Sequence, residues 1–449
     1  MQKFGGTSVA DPDAIQRLIN IVRQARSRDG RGPAVVVSAM SGVTDSLLGI
    51  AAAAGGGRVD DAIARLEQLR ERHVKAAAAL APTEAKGALG TQITAQFDDL
   101  ASLARALGVI REVSARSLDV VAAAGELLSS RIVTAALHEA DIPAEWVDAR
   151  RAVITNGDHT RAVPLAAETG AALKSSVLAA IDAGRVPVLG GFVGSTVDGH
   201  TTTLGRGGSD YSGAIVGAGI GASEIQIWTD VDGMLTADPR VIATPRLVPQ
   251  LSFAEAAELA YFGAKVLHPS TILPAVTKNI PVRILNSRRP ENAGTRITAD
   301  AMPEAGRLTA IACKRDVTVI DITSTRMLMA HGFLRRLFEV FERFKTAVDV
   351  VTTSEVSVSV TVDDTRRLEA ILDNLHNFAE ASCEREMAII CAVGENLRAD
   401  PTLFGKAVTS LDRIPLRLVS QAASRRNITF VLRNSDVPHA MMRLHETFF

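Results

Sequence analysis

Aromatic residues are scarce in this chain: 2 Trp, 2 Tyr and 14 Phe make up only 4% of 449 residues. A core with so little aromatic bulk must be built from Ala, Val, Leu and Ile, the material of helix-covered sheets. Cysteine is scarce too. Cys313, Cys383 and Cys391 show no CxxC or metal-ligand spacing, and their odd count argues against a disulfide framework, so they read as buried thiols. Neither sign of charge is in excess: 49 basic and 50 acidic residues leave a formal charge of -1. No overall field therefore draws nucleic acid or an anionic membrane. There is no run of about 18 uninterrupted apolar residues, and the opening MQKFGG lacks the basic-then-apolar layout of a signal peptide. The expectation is a cytoplasmic protein with no nucleic-acid and no membrane partner, in which the sequon Asn427-Ile428-Thr429 carries no meaning. No GxxxxGK[ST] occurs, which removes the P-loop class of nucleotide binders.

From residue 3 to about 295, short β-branched runs alternate with Ala/Leu-rich helical stretches, the pattern of a mostly parallel central sheet sandwiched by helices. Strands are expected in PAVVVSAM (33 to 40), AEWVDAR (144 to 150), VPVLGGFV (186 to 193), EIQIWTD (224 to 230) and IPVRIL (280 to 285). The first, third and fourth run straight into Gly, Ser, Thr or Asp, where open α/β sheets bind their ligands. Residues 58 to 118 show helical periodicity with few breakers, which predicts an inserted helical pair or trio. The Pro-, Gly- and charge-rich stretch SRRPENAGTRITADAMPEAGR (287 to 307) has a boundary composition. It places a first domain over 1–295 and a linker over 296–307. Beyond it the order βαββα occurs twice, a repeat of roughly 65 residues that sets smaller α+β domains over 308–385 and 386–449. The second copy has no closing strand of its own, so LTAIAC (308 to 313) is expected to lend one.

KFGGTSVAD (3 to 11), VVVSAMSGVTDSLL (35 to 48), GELLSS (125 to 130), TTTLGRGGSDYS (201 to 212), WTDVDGMLTADPR (228 to 240) and FGAKVLHPSTILPAV (262 to 276) resemble, in order, the loops of the aspartate kinases, within the amino acid kinase fold. TTSEVSVSV (352 to 360) is similar to the regulatory part of the lysine-sensitive type. The repeat resembles paired ACT domains, βαββαβ modules that often sense amino acids. The likeness runs through the whole chain. It implies ATP- and Mg2+-dependent phosphorylation of the β-carboxylate of L-aspartate, at the entry to lysine, threonine and methionine synthesis. It also implies lysine as an effector, and a homodimer or higher homo-oligomer through the ACT domains. Two readings compete with it: another amino acid kinase, acting on glutamate or an acylated amino acid, and an inactive amino-acid sensor that keeps the fold.

A side-chain carboxylate with an unperturbed pKa near roughly 4 is already ionised, so its phosphorylation needs no general base. The obstacle is repulsion between two anions, which fixed positive charge and peptide amides must offset. The resemblance assigns Lys3 to the transferring phosphate, and Gly5 and Gly6 to backbone approach to the phosphates, with Asp11 as N-cap of the helix that follows; a glycine turn beside a surface lysine is the plain alternative. Arg206 is assigned to the substrate α-carboxylate, and Gly207, Gly208 and Ser209 to the shape of the pocket. Asp210 is assigned to the ammonium or the metal-phosphate end, or else to a helix N-cap. Glu126, a lone carboxylate amid Ala and Leu, would pair with the substrate ammonium, or with Arg131 or another structural arginine. Thr44 is a further substrate contact or a turn hydroxyl. Thr229, Asp230, Leu235, Arg240, Lys265 and Val266 are assigned to the nucleotide; the family commonly has a tyrosine where Leu235 stands, and Lys265 by itself reads as a helix-end lysine. The effector is assigned to Met327, Gly332, Phe333, Leu334, Val348, Asp349, Thr353, Ser354 and Glu355, with Ala347 where lysine-sensitive members often have serine. The same stretch is also a β-hairpin. GAGIGA (217 to 222) has dinucleotide-type glycine spacing but sits in a helical pattern, so it reads as helix packing. His268 reads as structural, and no metal-ligating cluster is expected from the protein itself.

Overall fold

The computed structural model describes residues 1–205, 207–263, 269–299, 301, 305–324, 331–421 and 424–449. The chain forms two compact units: Met1–Met234 with Pro249–Phe253 and Val266–Ala301, and Leu235–Val248 with Ala254–Lys265 and Met302–Phe449.

All five expected strands form, and all lie in one eight-stranded sheet of the first unit. Its order is Ala144–Trp146, Val186–Gly190, Val35–Val37, Gln2–Phe4, Ile225–Thr229, Val282–Asn286, Thr295–Thr298, Gln250–Ser252. The first six are parallel to one another; Thr295–Thr298 runs antiparallel to Val282–Asn286. The central strand Gln2–Phe4 is paired in register with its neighbours on both sides, Val35–Val37 and Ile225–Thr229. The unbroken valine run makes sense because both faces are covered. Val35 and Val37 pack with Ile15, Leu18 and Leu128, while Val36 packs with Ile215 and Val216 on the other face.

Asp11 accepts the Ala14 amide at 2.8 Å and so caps the helix Pro12–Asp29. The insertion is two long helices, Val59–Leu80 and Ala88–Ile110, with the short Pro82–Ala85 between them. The next helix, Ala115–Glu139, is long and apolar enough to cross a membrane, yet it is almost wholly buried inside this unit. Val193–Thr196 and Thr201–Thr203 form a hairpin around Asp198-Gly199, in a separate three-stranded sheet with Ile154–Thr155. GAGIGA begins in the last turns of the helix Gly208–Gly219, where a Cβ on Gly217 would come within 2.5 Å of Ile225. Close helix-to-strand packing explains that glycine.

The second unit holds a six-stranded sheet in the order Val351–Thr353, Ser357–Val362, Arg307–Thr323, Glu380–Glu395, Asn427–Arg433, Leu418–Gln421. LTAIAC and VTVIDITS, read as separate runs, are one strand. Left-handed Asp316 (φ 59°) kinks it, and Glu386 (φ 59°) does the same in its partner. Leu308–Cys313 lies opposite Gly394–Ile390, alongside the second copy's own strands. Each copy's helices pack on its half of the sheet: Leu337, Phe341, Ile371 and Leu375 with Ile320 and Ile322, and Leu403, Met441 and Leu444 with Ile390 and Phe430. Ala237 and Ile242 join the latter cluster. All three cysteines are free thiols, but only Cys391 is buried; Cys313 and Cys383 are half-buried, packed against the second and first copies' core clusters respectively.

Candidate active site

In the first unit, a cavity of about 450 Å³ opens at the carboxyl ends of the parallel strands. Its walls are the loop after Gln2–Phe4, the loop Ser38 to Gly42, the first turn of the helix Val43–Gly55, Glu126, Phe192, Gly207 to Ser209, and Thr229 with Asp230. These segments are tied to one another. The Trp228 carbonyl accepts the Gly5 amide at 2.9 Å and the Ser8 hydroxyl at 3.3 Å, and Ser8 also donates to Ser287 at 2.8 Å. Ser129 donates to the Ser38 carbonyl at 2.6 Å, and Ser38 to the Ser209 hydroxyl at 2.9 Å. Gly191 must be glycine here: a Cβ would lie 2.9 Å from the Ser209 Cα.

One expectation changes in detail. The Gly5 amide is already bonded, so it is not a phosphate donor; Gly6 and Thr7 begin the tight turn Gly6–Val9, where the first amides lack acceptors within the turn.

Lys3 is not a surface lysine. Its Nζ lies 2.6 Å from Asp210 Oδ1, with side chains 7% and 18% exposed, directly behind Gly5. Asp210 does not cap its helix: Gly207 holds the cap position with φ 69° and no side chain bonds there. The carboxylate has the buried ammonium as partner instead.

Glu126 is 4% exposed, and burial pushes its carboxyl up to about 8; the amides of Ala39 and Glu126, the Thr44 hydroxyl and the charge of Lys3 pull the other way but do not prevail. Its Oε2 has no hydrogen-bond partner. Arg131 is not that partner, because it donates to Gln92 at 2.7 Å and lies over the Trp146 ring at 3.6 Å.

The structure thus brings Gly5, Gly6, Thr44, Glu126, Gly207, Gly208, Ser209, Thr229 and Asp230 to one cavity, with Lys3 and Asp210 behind its wall. Leu235, bridged to Leu247, and Arg240, whose exposed guanidinium is forked on Asp238 at 2.6 Å, belong to the second unit. Arg206, Lys265, Val266, His268 and Met327 lie outside the described residues.

In the second unit, Gly332 (φ 84°) opens the helix Phe333–Arg343, Phe333 packs edge-on to Phe378, and Leu334 is exposed. Val348 is half-buried. Asp349 Oδ1 accepts from Lys314 Nζ at 2.7 Å and from the Tyr261 hydroxyl at 3.1 Å, leaving its Oδ2 buried and without a partner. Thr353 ends a strand, and the Ser354 amide donates to the Ser357 carbonyl at 2.8 Å in the turn that carries exposed Glu355.

Among the described residues no cluster of three or more His, Cys, Asp or Glu could cage a metal ion. The cavity offers Asp45 and Asp230, a set that fits magnesium held by one or two carboxylates and by phosphates. The sequence reading did not single out Thr7, Asp45, Phe192 or the backbone of Ser38 to Gly42, although their place at strand ends was a usable signal. It also missed Arg72 of the insertion, which donates to the Ser41 carbonyl at 2.9 Å and the Ala10 carbonyl at 3.0 Å. Nothing in a charged helix face marks one arginine as a clamp.

Residues 2–286 match the Amino acid kinase family and residues 390–448 an ACT domain. Over its whole length the chain is 37% identical to the chloroplastic aspartokinase 3 of Arabidopsis thaliana, of which it covers 81%. It is 34% identical to the lysine-sensitive aspartokinase 3 of Escherichia coli (strain K12), of which it covers 99%. The crystal structure of E. coli aspartokinase III in complex with aspartate and ADP matches all of this chain, and 99% of its own, with a TM-score of 0.87 at 33% identity. With full-length likeness of that order in both sequence and fold, the chain belongs to the aspartokinase family, its first unit an amino acid kinase domain followed by ACT-type α+β structure.

Proposed function

We propose that the protein transfers the γ-phosphoryl group of ATP to the β-carboxylate of L-aspartate, giving 4-phospho-L-aspartate and ADP. The observation that carries this reading is Glu126: a buried carboxyl with an unused oxygen, facing a cavity of bare amides and hydroxyls. Such a group is costly unless a ligand cation meets it. The ammonium of aspartate supplies one and drives off the proton that burial retains. Arg206, by family likeness, takes the α-carboxylate. The β-carboxylate is then the nucleophile and needs no base. Lys3, held by Asp210, neutralises the transferring phosphoryl group; Gly6, Thr7, Thr229 and Asp230 receive the nucleotide. Mg2+, held through Asp45 or Asp230 and the phosphates, would spread the triphosphate charge. ATP as donor agrees with the ADP bound by the related structure.

Lysine is the proposed effector, since one relative is named lysine-sensitive and the free Oδ2 of Asp349 suits an ammonium group. A homodimer through the ACT-type unit and a cytoplasmic setting belong to the same proposal. ADP release measured with aspartate or glutamate, with and without lysine, tests it. Turnover on aspartate that lysine suppresses is expected; turnover on glutamate alone, or none with either acid, overturns the reading.

A further inference from the structure

A second cavity of the first unit, about 220 Å³, lies between the helix Pro12–Asp29 and the sheet face opposite to Lys3, and shares no wall residue with the active-site cavity. Gln2, Gln226 and Arg283 form one row of its wall, in register across three neighbouring strands. The orientation of their amides is fixed by chemistry. The indole N–H of Trp228 can only donate, and it donates to Gln226 Oε1 at 3.2 Å. Gln226 must therefore turn its Nε2 to Glu224, at 2.8 Å, and Gln2 must turn its own Nε2 to Gln226 Oε1, at 3.0 Å. That leaves Gln2 Oε1, on a residue only 3% exposed, as a buried acceptor with no partner. Two strands away, on the far side of Gln226, Arg283 Nε lies 3.5 Å from Glu224 Oε2 and makes no hydrogen bond either. Arg28 adds a second guanidinium and Glu291 a single acid, while Ile21, Ala25, Trp228 and Leu285 are apolar.

We propose that this cavity binds a neutral α-amino acid with an apolar side chain. Its ammonium donates to Gln2 Oε1, its carboxylate is held by Arg283 and Arg28, and its side chain lies against Trp228, Leu285, Ile21 and Ala25. Guanidinium groups are the natural partners of a carboxylate. The volume, below the roughly 300–1,000 Å³ of drug-sized sites, suits a ligand of that size. Gln2 neighbours Lys3 on a three-residue strand, so an occupant braces the strand that carries the lysine.

The test is isothermal titration calorimetry with valine, leucine, isoleucine and methionine, added to the full chain already saturated with aspartate, ADP and lysine so that other amino-acid sites are filled. At least one should bind. The amine and the carboxylic acid made by deleting its carboxylate or its ammonium should bind at least tenfold more weakly. Arg283→Met should weaken binding at least tenfold, and Ala25→Phe, which fills the cavity, should abolish it. No binding heat for any of the four, or unchanged affinity in both variants with melting curves like the parent's, overturns the proposal.

Discussion

At pH 7 a carboxyl that burial holds up to about 8 is mostly protonated in the free protein, so the ammonium of aspartate must displace a proton from Glu126 to gain its partner. The apparent KM for aspartate should therefore fall as pH rises from about 7 to 8.5, because more of the enzyme is ready-ionised. Stability should run the other way. Between the ordinary carboxyl value of 4.5 and about 8 the folded state keeps this proton and the unfolded state does not. Each rise in pH through that window then favours unfolding. Glu126→Gln removes the slope: its Tm at pH 8 should exceed the parent's by several degrees, at roughly 2–4 °C per kcal/mol. Its kcat/KM for aspartate should fall on the order of 100-fold, the loss of a charge-assisted contact of about 2–3 kcal/mol. A variant as pH-sensitive in melting as the parent would remove Glu126 from this account. The residue was legible in sequence because a carboxylate among Ala and Leu is an anomaly. The Lys3–Asp210 pair was not, since Asp210 near a helix start reads as a cap and its partner lies at the far end of the domain. The pairing of Arg240 with Asp238 was not legible either, although only two residues separate them, because a motif match says nothing of whether a guanidinium is already engaged.

The helical insertion shows what elements add to residues. Its existence was plain from periodicity, and its two long helices pack through Leu66, Leu69, Ile93 and Phe97 as that pattern requires. Its contribution to the site was not, because Arg72 reaches across to two backbone carbonyls on separate loops of the cavity region. Arg72→Ala should lower kcat/KM roughly tenfold, about 1.4 kcal/mol of transition-state stabilisation. Arg72→Lys should restore little of this, because an ammonium cannot serve two carbonyls with a rigid fork. Steady-state kinetics with aspartate and ATP decide it, and unchanged kcat/KM in Arg72→Ala would make the clamp incidental. Strands were legible as buried β-branched runs for the same reason that they form: both faces of the parallel sheet are covered. The two long strands of the second unit were not, because a single left-handed residue breaks the alternation: Asp316 makes Arg307–Thr323 look like two strands, and Glu386 leaves only MAIICAVG of Glu380–Glu395 readable as strand.

At the scale of the whole chain, composition marks one boundary, at 287 to 307, and the ACT-like repeat beyond it was readable from its order of elements. What composition does not mark is that Leu235–Val248 and Ala254–Lys265 pack with the second unit, although both flank strands of the first. Their attachments are made with residues far along the chain: Glu255 accepts from Thr309 at 2.6 Å, Glu258 from Asn427 at 2.7 Å, and Thr236 bonds His445 at 2.9 Å. Alternation and periodicity cannot reveal pairs so distant. Their consequence is mechanical. Leu235 follows Thr229 and Asp230 by a few residues, so the backbone itself is the route by which the proposed effector, bound to the second unit, would act on the cavity wall. A coupling of this kind is a free energy between sites, and weakening one link should reduce it without disabling either end. Thr309→Val keeps the shape of the side chain and removes the donor to Glu255, which is fully buried. The lysine concentration for half-inhibition should rise roughly three- to tenfold, about 0.7–1.4 kcal/mol of coupling, while KM for aspartate without lysine moves less than about twofold. Inhibition curves recorded at fixed aspartate test this directly. If the variant's curve superimposes on the parent's, the signal does not travel through Glu255 and the segment it anchors.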